Sequence, residues 1–551
     1  MDQKRPKVVV IGLDGADFRT IDPLMAEGRL PHLASLMKAG TSGRLRSTVM
    51  PNSFPAWTSC ITGVNPGKHG IFWALVRRGG AAFPLRLMSG ADIRVKRLWD
   101  ILGAEGRRVG VVNVPVEYPP SEVNGFLVCG ALTPGPDCAF TYPPGLREEV
   151  FEAVPGYACE IDYADMNLGR LARQTLRSIA DREKLILYLL ERKEWDLFFA
   201  VFTESDLVQH KYWAGIDPRH PEHARFRRRF GTFVHDVYRR LDEAVGRILD
   251  AIPAGACVLV VSDHGFGPFY QSFSVPRWLE KNGYLALEAP SAGARLKRLV
   301  SGTLGARGTL PLKRLAASLR SLSKRSRSVR SQRERDASSG ARAGRSISWA
   351  KTRAYFTADF GIRLNLKGRE PCGIVEPGPE SEALVREMAE KLKPLKYSNG
   401  EPVFETVLTK EEAFTGPSVP DAPDLVVPIN HAEAPPALEK WDFALTHPTL
   451  TGTHAPDGVL IVRGPGIKAG AVIAGAQIVD LTPTVLYLFG VPLTEDMDGK
   501  VLQDLFLAGA GTRPDITRRG TSFRPGPEGL DPASEEGRRV RERLRGLGYI
   551  E

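Results

Sequence analysis

Residues 7–15 read KVVVIGLDG, and the fold turns on whether this run is a strand or the apolar segment of a secretion signal. Its apolar part, VVVIGL, is six residues long and stops at Asp14. A signal segment needs at least ~7–15 apolar residues and then a small-residue cleavage site. The run is too short for that, and its β-branched character predicts a strand buried on both faces of a parallel sheet. RRVGVVNVPV (107–116), WDLFFAVFTESD (195–206), ACVLVVSDHG (256–265) and DGVLIVRGPG (457–466) repeat the pattern.

Helical periodicity fills the gaps between these runs. It is read in RLPHLASLMKAG (29–40), VKRLWDILGAEG (95–106), LARQTLRSIADREKLILYLLERK (171–193) and FRRRFGTFVHDVYRRLDEAVGRILDAI (226–252). Glycines close several of them, as helix C-termini favour. Strands alternating with helices predict an α/β fold: a mainly parallel central sheet with helices on both faces. The rhythm breaks at 267–350 and the chain resumes from 351 with RAYFTADFGIRLNL (353–366), a Pro/Gly-rich turn and a helix over 381–393. The expected division is 1–266 as the first part of the core, 267–440 as a cap or insertion, and 441–551 as the second part with a charged C-terminal helix. The sheet is expected to resume with VVPIN and DGVLIV. Asp480 is the expected N-cap of a helix over 480–490.

The chain has 551 residues, 42% hydrophobic and 25% charged, which is ordinary for a globular protein and too long for one small core. Its net charge of +10 is local: residues 291–345 hold fifteen Lys or Arg and two acids, +13, leaving −3 for the rest. The body is therefore not a nucleic-acid binder by charge. The basic segment reads as a solvated insertion, with weak contact to a membrane surface or an acidic partner as the sharper alternative. Six scattered cysteines argue against a disulfide framework or a zinc finger. No stretch approaches ~18 apolar residues, so the expected compartment is the cytoplasm.

Polar residues of one kind collect at strand ends. Asp14 follows VVVIGL, Asp206 and His210 follow LFFAVFTES, Asp263 and His264 follow CVLVVS, and His454 lies just before DGVLIV. Ligand sites of doubly wound sheets gather at the carboxyl ends of strands. Asp206 and His210, four apart, share a helix face. Asp263 and His264 converge only if the chain turns sharply, which Gly265 permits. Three Asp and three His form a mixed N/O donor set suited to zinc, with manganese the alternative. Each residue alone also fits a turn, cap or surface role. Ser53, in MPNSFPAWTSCITGVNPGKHG (50–70), likewise reads either as a helix N-cap or as a nucleophile.

In order, GLDG, NSFPAWTSCITGVNPGKHGIF, ESDLVQH, SDHGFG and TGTHAPDG resemble the alkaline phosphatase superfamily. The likeness is to its type I phosphodiesterase/nucleotide pyrophosphatase branch and its bacterial phosphohydrolase/phosphomutase members. It continues into DLTPTVLYLFGVP and DMDGKVL and covers most of the chain outside 267–350. The resemblance implies two metal ions, one held by Asp206, His210 and His454, the other by Asp14, Asp263 and His264, with Ser53 beside the latter as the phosphorylated nucleophile and itself counted among the metal-binding residues. Relatives carry an Asn after Phe-Pro that holds phosphate; here Ala56 stands there, followed by Trp57. The oxyanion contact is then expected from backbone N–H groups or Lys68. The sulfatase Arg is missing two residues after Pro55, and the phosphate-gripping Arg of alkaline phosphatase itself has no counterpart.

The expected function is a metal-dependent phosphohydrolase cleaving a small phosphate mono- or diester through a phosphoserine. A phosphotransferase or phosphomutase on the same residues is the alternative, since acceptor choice would lie in 267–440. A non-catalytic membrane or acidic-partner binding protein is the reading from another class; it predicts eroded ligands, and none of the six is eroded.

Overall fold

The computed structural model of the chain describes residues 6–77, 85–161, 167–288, 346–357, 359, 361–430, 444–445, 450–507, 517–523 and 535–547. The basic segment 291–345, and the partner contact expected of it, lie outside the described residues.

VVVIGL forms the strand Val8–Leu13, with every residue buried. It pairs in parallel with Leu197–Phe202 on one side and Cys257–Val261 on the other. Beyond Leu197–Phe202 come Val109–Val112 and Gly125–Val128, both parallel. The sheet has ten strands among the described residues and is mainly parallel. The exception that matters is Asp457–Arg463, which lies antiparallel between Cys257–Val261 and Thr41–Arg46. Its amino-terminal end therefore sits at the same sheet edge as the carboxyl ends of the parallel strands, and His454 arrives there by preceding its strand.

Two groups of helices cover the sheet. Pro31–Ala39, Leu168–Arg192 and Phe233–Ala251 pack together in one group; Ser53–Thr62, Leu98–Ala104 and Leu481–Leu488 pack in the other. The stretch expected as one helix over 226–252 is two, His223–Phe230 and Phe233–Ala251. Gly231 divides them at φ 61°, a left-handed conformation that costs glycine little. Asp480 does stand at a helix start, but its carboxylate accepts from the backbone N–H of Gln477 and Lys500 instead of capping that helix.

A second, smaller antiparallel sheet is made of Ala354–Thr357, Gly361–Leu364, Leu425–Val426 and Leu408–Thr409. It has its own hydrophobic core, which includes Tyr355, Ile362, Leu364, Leu384, Met388 and Val427. VVPIN was expected to rejoin the central sheet; its strand belongs to this one. Two residues cannot declare a partner by periodicity, and the pairing is set by what they pack against. All six cysteines are free. Among the described residues no helix is long and apolar enough to cross a membrane.

A buried ion pair anchors the helix that carries Asp206. Arg182 and Glu204 meet at 3.1 Å with side chains 1% exposed, and Ser178 also donates to Glu204. Breaking one half of such a pair strands a charge in the interior, which costs about 3–5 kcal/mol. Arg182→Met should therefore advance the urea transition by that order. Adding Glu204→Gln should recover part of the loss, because the orphaned charge is then gone.

Candidate active site

The sheet edge brings all seven sequence-predicted residues together. Asp14 continues the ladder, its N–H donating to the Phe202 carbonyl at 2.9 Å. Gly15 then turns at φ 66°, and a Cβ on it would lie 3.2 Å from the Asp206 Cα. Both the turn and the close approach demand glycine here. Three side chains clamp this turn. Gly15 N–H donates to Asp263 Oδ1 at 3.2 Å, Ser205 Oγ donates to the Asp14 carbonyl at 2.7 Å, and Gln209 Nε2 donates to the Gly15 carbonyl at 2.8 Å.

Asp206 and His210 lie on the helix Glu204–Tyr212, with Asp206 Oδ1 3.4 Å from His210 Nε2 and 3.1 Å from His454 Nε2. The two Nε2 atoms are 2.9 Å apart. Asp14, Asp263 and His264 form the neighbouring group. His264 Nε2 is 3.2 Å from Asp263 Oδ2 and 3.6 Å from Asp14 Oδ1. The groups abut where the His264 and His454 rings stack, 3.9 Å between centroids, and His264 also falls within a possible ligand cluster with Asp206 and His454. Gly265 is needed here for a reason other than flexibility: a Cβ on it would lie 2.1 Å from the Asp457 carbonyl oxygen. That close approach lets Gly265–Pro268 run antiparallel to Gly452–Ala455 and set Phe266 opposite His454.

Ser53 is the first residue of the helix Ser53–Thr62, not its cap. Asn52 caps it, accepting from Phe54 N–H at 3.2 Å. The Ser53 hydroxyl is thereby left for the cluster, donating to Asp14 Oδ1 at 3.3 Å with His264 Nε2 at 3.2 Å.

Each imidazole has its Nδ1 on a backbone carbonyl: His210 on Gly452 at 3.1 Å, His264 on Gly265 at 3.0 Å, His454 on Pro51 at 2.8 Å. A carbonyl only accepts, which assigns a proton to Nδ1 of each ring and turns Nε2 toward the carboxylates. Burial lowers the pKa of His264 and of His210 and so favours a bare Nε2 on those two rings. Burial also raises the Asp14 carboxyl well above its ordinary range, with the Asp263 and Asp206 charges adding to it. Asp263 is pushed up to about 7 by burial and then by Asp206. Asp206 Oδ1 and Asp263 Oδ2 are buried and accept no hydrogen bond. Nitrogen and oxygen ligand atoms gathered at about 3 Å from one another form a buried cluster of the kind that holds cations.

Trp57 completes the arrangement, and the sequence reading passed over its part. Its Nε1–H donates to Asp14 Oδ2 at 2.9 Å. A helical turn places it on the same face as Ser53, four residues earlier, which was the available signal. Gly12 makes room for it, since a Cβ there would lie 2.5 Å from Trp57 Cη2. Lys68, expected as an oxyanion contact, is instead committed to Asp498 and the Asp496 carbonyl.

A family model described as type I phosphodiesterase / nucleotide pyrophosphatase matches residues 8–457. No curated protein is significantly similar to the chain in sequence. Among solved structures, murine ectonucleotide pyrophosphatase / phosphodiesterase 5, in an inactive form in complex with AMP, is 12% identical; the match covers 91% of this chain and 100% of that one at a TM-score of 0.49. The human protein of the same name is also 12% identical, with the same coverage and a TM-score of 0.48. Phosphonoacetate hydrolase from Sinorhizobium meliloti 1021, in complex with phosphonoformate, is 16% identical over 88% of this chain and 95% of that one, at a TM-score of 0.50. The last of these likenesses is one of fold alone.

Proposed function

We propose, because the chain belongs to the type I phosphodiesterase / nucleotide pyrophosphatase family, that it cleaves phosphate mono- or diesters through a phosphoserine at Ser53. Membership makes it a phosphoric ester hydrolase of the alkaline phosphatase superfamily and sets aside the non-catalytic reading. What supports the finer reading is one observation: a serine hydroxyl at a helix start, 3.2–3.3 Å from His264 and Asp14, among three carboxylates and three imidazoles.

The donor set fits divalent metal. Asp206, His210 and His454 would hold one ion and Asp14, Asp263 and His264 the other, with Ser53 beside it; the N/O chemistry suits zinc, then manganese. When bound, such a pair supplies Lewis acidity to the entering and leaving oxygens of an in-line displacement. The chain's own part is positioning. Asp14 Oδ1 holds the Ser53 proton, and the amino end of Ser53–Thr62 presents its positive dipole to the phosphoryl group. Attack forms the Oγ–P bond and breaks the ester P–O bond; the Ser53 proton passes by way of Asp14 to the leaving oxygen, which departs as the alcohol. Water then breaks the Oγ–P bond, its oxygen leaving with the phosphate and one of its protons restoring the Ser53 hydroxyl.

The test is hydrolysis of p-nitrophenyl phosphate and its bis-ester, alongside ion analysis of the purified chain. Bound divalent metal and turnover of at least one ester are expected; neither metal nor turnover overturns the proposal. A second expectation concerns Trp57. Trp57→Phe keeps most of the packing but removes the donor that orients Asp14. It should lower metal affinity or turnover by about 10–100-fold, read by competition with a chelator and by initial rates.

A further inference from the structure

The loop that leads into the nucleophile helix rests on the smaller sheet. In Met50-Pro51-Asn52-Ser53 each residue has a separate task. Ser53 meets Asp14, Asn52 caps the helix, and the Pro51 carbonyl accepts from His454 Nδ1–H at 2.8 Å. Met50 is buried in a separate apolar cluster, with Phe72 of the core and Phe414, Ala422 and Val426 of the second unit. Leu425 and Val427 belong to the second unit's own core, while Val426 between them belongs to the cluster around Met50. Successive residues of an extended chain point to opposite faces, so the smaller sheet's other face packs on the loop before Ser53.

The contact is fastened on both sides. Phe72 and Phe414 meet edge to face, 5.1 Å between ring centroids. Ser418 N–H donates to the Gly67 carbonyl at 2.8 Å, and Arg94 donates to Ser418 Oγ at 2.8 Å and to Asp421 Oδ2 at 3.1 Å. Arg363, on the smaller sheet, donates to the Asp421 and Ala422 carbonyls at 3.0 and 2.8 Å. Gly67 is needed for this approach, since a Cβ on it would lie 2.6 Å from the Thr415 carbonyl oxygen. Thr48 Oγ1 donates to the Met50 carbonyl at 2.7 Å and braces the loop from the core.

We propose that Met50 and Phe414 are positioning residues: through them the smaller sheet fixes the Pro51 carbonyl and thereby aims the His454 ring at its ion. The inference rests on the two-metal hydrolase reading above. A carbonyl that orients a ligating imidazole governs metal affinity and turnover, and a misplacement of about 1 Å can cost ~100-fold in rate. The helix begun by Ser53 keeps its own cap, so the loss falls on the ion held with His454 and not on the one beside Ser53.

The experiment titrates both ions with a competing chelator and measures kcat and KM on the better of p-nitrophenyl phosphate and its bis-ester. Met50→Ala and Phe414→Ala should each weaken one ion by about 10–100-fold and lower kcat by a similar factor, with KM little changed. Met50→Leu, nearly equal in volume, should recover most of both. Met388→Ala trims a buried side chain of the second unit's own core. It should lower stability and leave ion affinities and kcat near wild type. In a His454→Ala chain, adding Met50→Ala should not weaken the remaining ion further. Should Met50→Ala fail to fold, Phe414→Ala and Phe414→Leu decide by the same readouts. Losses no larger than those of Met388→Ala, or equal weakening of both ions, overturn the inference and leave the hydrolase intact. A wild type with neither bound metal nor turnover overturns the hydrolase reading and this inference with it.

Discussion

Ser53→Ala yields a folded protein with its full complement of metal, no phosphoenzyme and turnover lowered by roughly 10³-fold or more. The fold should survive because Asn52, not Ser53, caps the helix. The deleted hydroxyl is one neutral hydrogen-bonding group, worth about 1 kcal/mol. The donors proposed for the cations sit on other elements: the end of Val8–Leu13, the helix Glu204–Tyr212, the residues after Cys257–Val261, and the strand Gly452–Ala455. What is lost is the one oxygen placed to attack phosphorus. Trapping with radiolabelled substrate should therefore label wild type and leave the alanine variant unlabelled, with equal ion counts. Asn52→Ala is the contrasting control: it should cost about 1 kcal/mol of stability while phosphoenzyme still forms. Wild-type turnover by Ser53→Ala would assign the nucleophile elsewhere.

That contrast also shows where the sequence was legible. Asp14, Asp206 and Asp263 could be placed because each follows an apolar run, and a buried parallel strand delivers its next residue to the ligand-binding edge. His454 obeys no such rule. It precedes its strand, and only the antiparallel direction of Asp457–Arg463 brings it to the same edge. Strand direction is a tertiary fact, so the resemblance carried His454 where periodicity could not. Asn52 and Ser53 are both good caps by residue type, and geometry alone decides between them. Trp57 depends on Gly12 across the sheet, a pair separated by more than forty residues. The smaller sheet was hidden for another reason. Its strands are two to four residues long, too short for alternation to register, and they are joined by non-local packing.

His454→Ala is expected to retain about one divalent ion per chain where wild type holds two, and to lose at least about 100-fold in turnover. The argument starts from what the side chain leaves behind. Asp206 Oδ1 faces His454 Nε2 at 3.1 Å and His210 Nε2 at 3.4 Å, and it is buried without a hydrogen-bond donor. Removing one imidazole leaves that group a carboxylate and one nitrogen, too few for a closed site around a divalent ion. The group of Asp14, Asp263 and His264 keeps its members, and its turn stays clamped by Asp263, Ser205 and Gln209. Asp263→Ala should do the converse, emptying the site beside Ser53 and sparing the other. Ion counts after loading and desalting then read about two, one and one for wild type and the two variants, and near zero for the double variant. A His454→Ala chain that still holds two ions would place His454 outside the metal site. Should both single variants keep two ions, the six side chains would be a buried acid–imidazole cluster rather than a pair of cation sites.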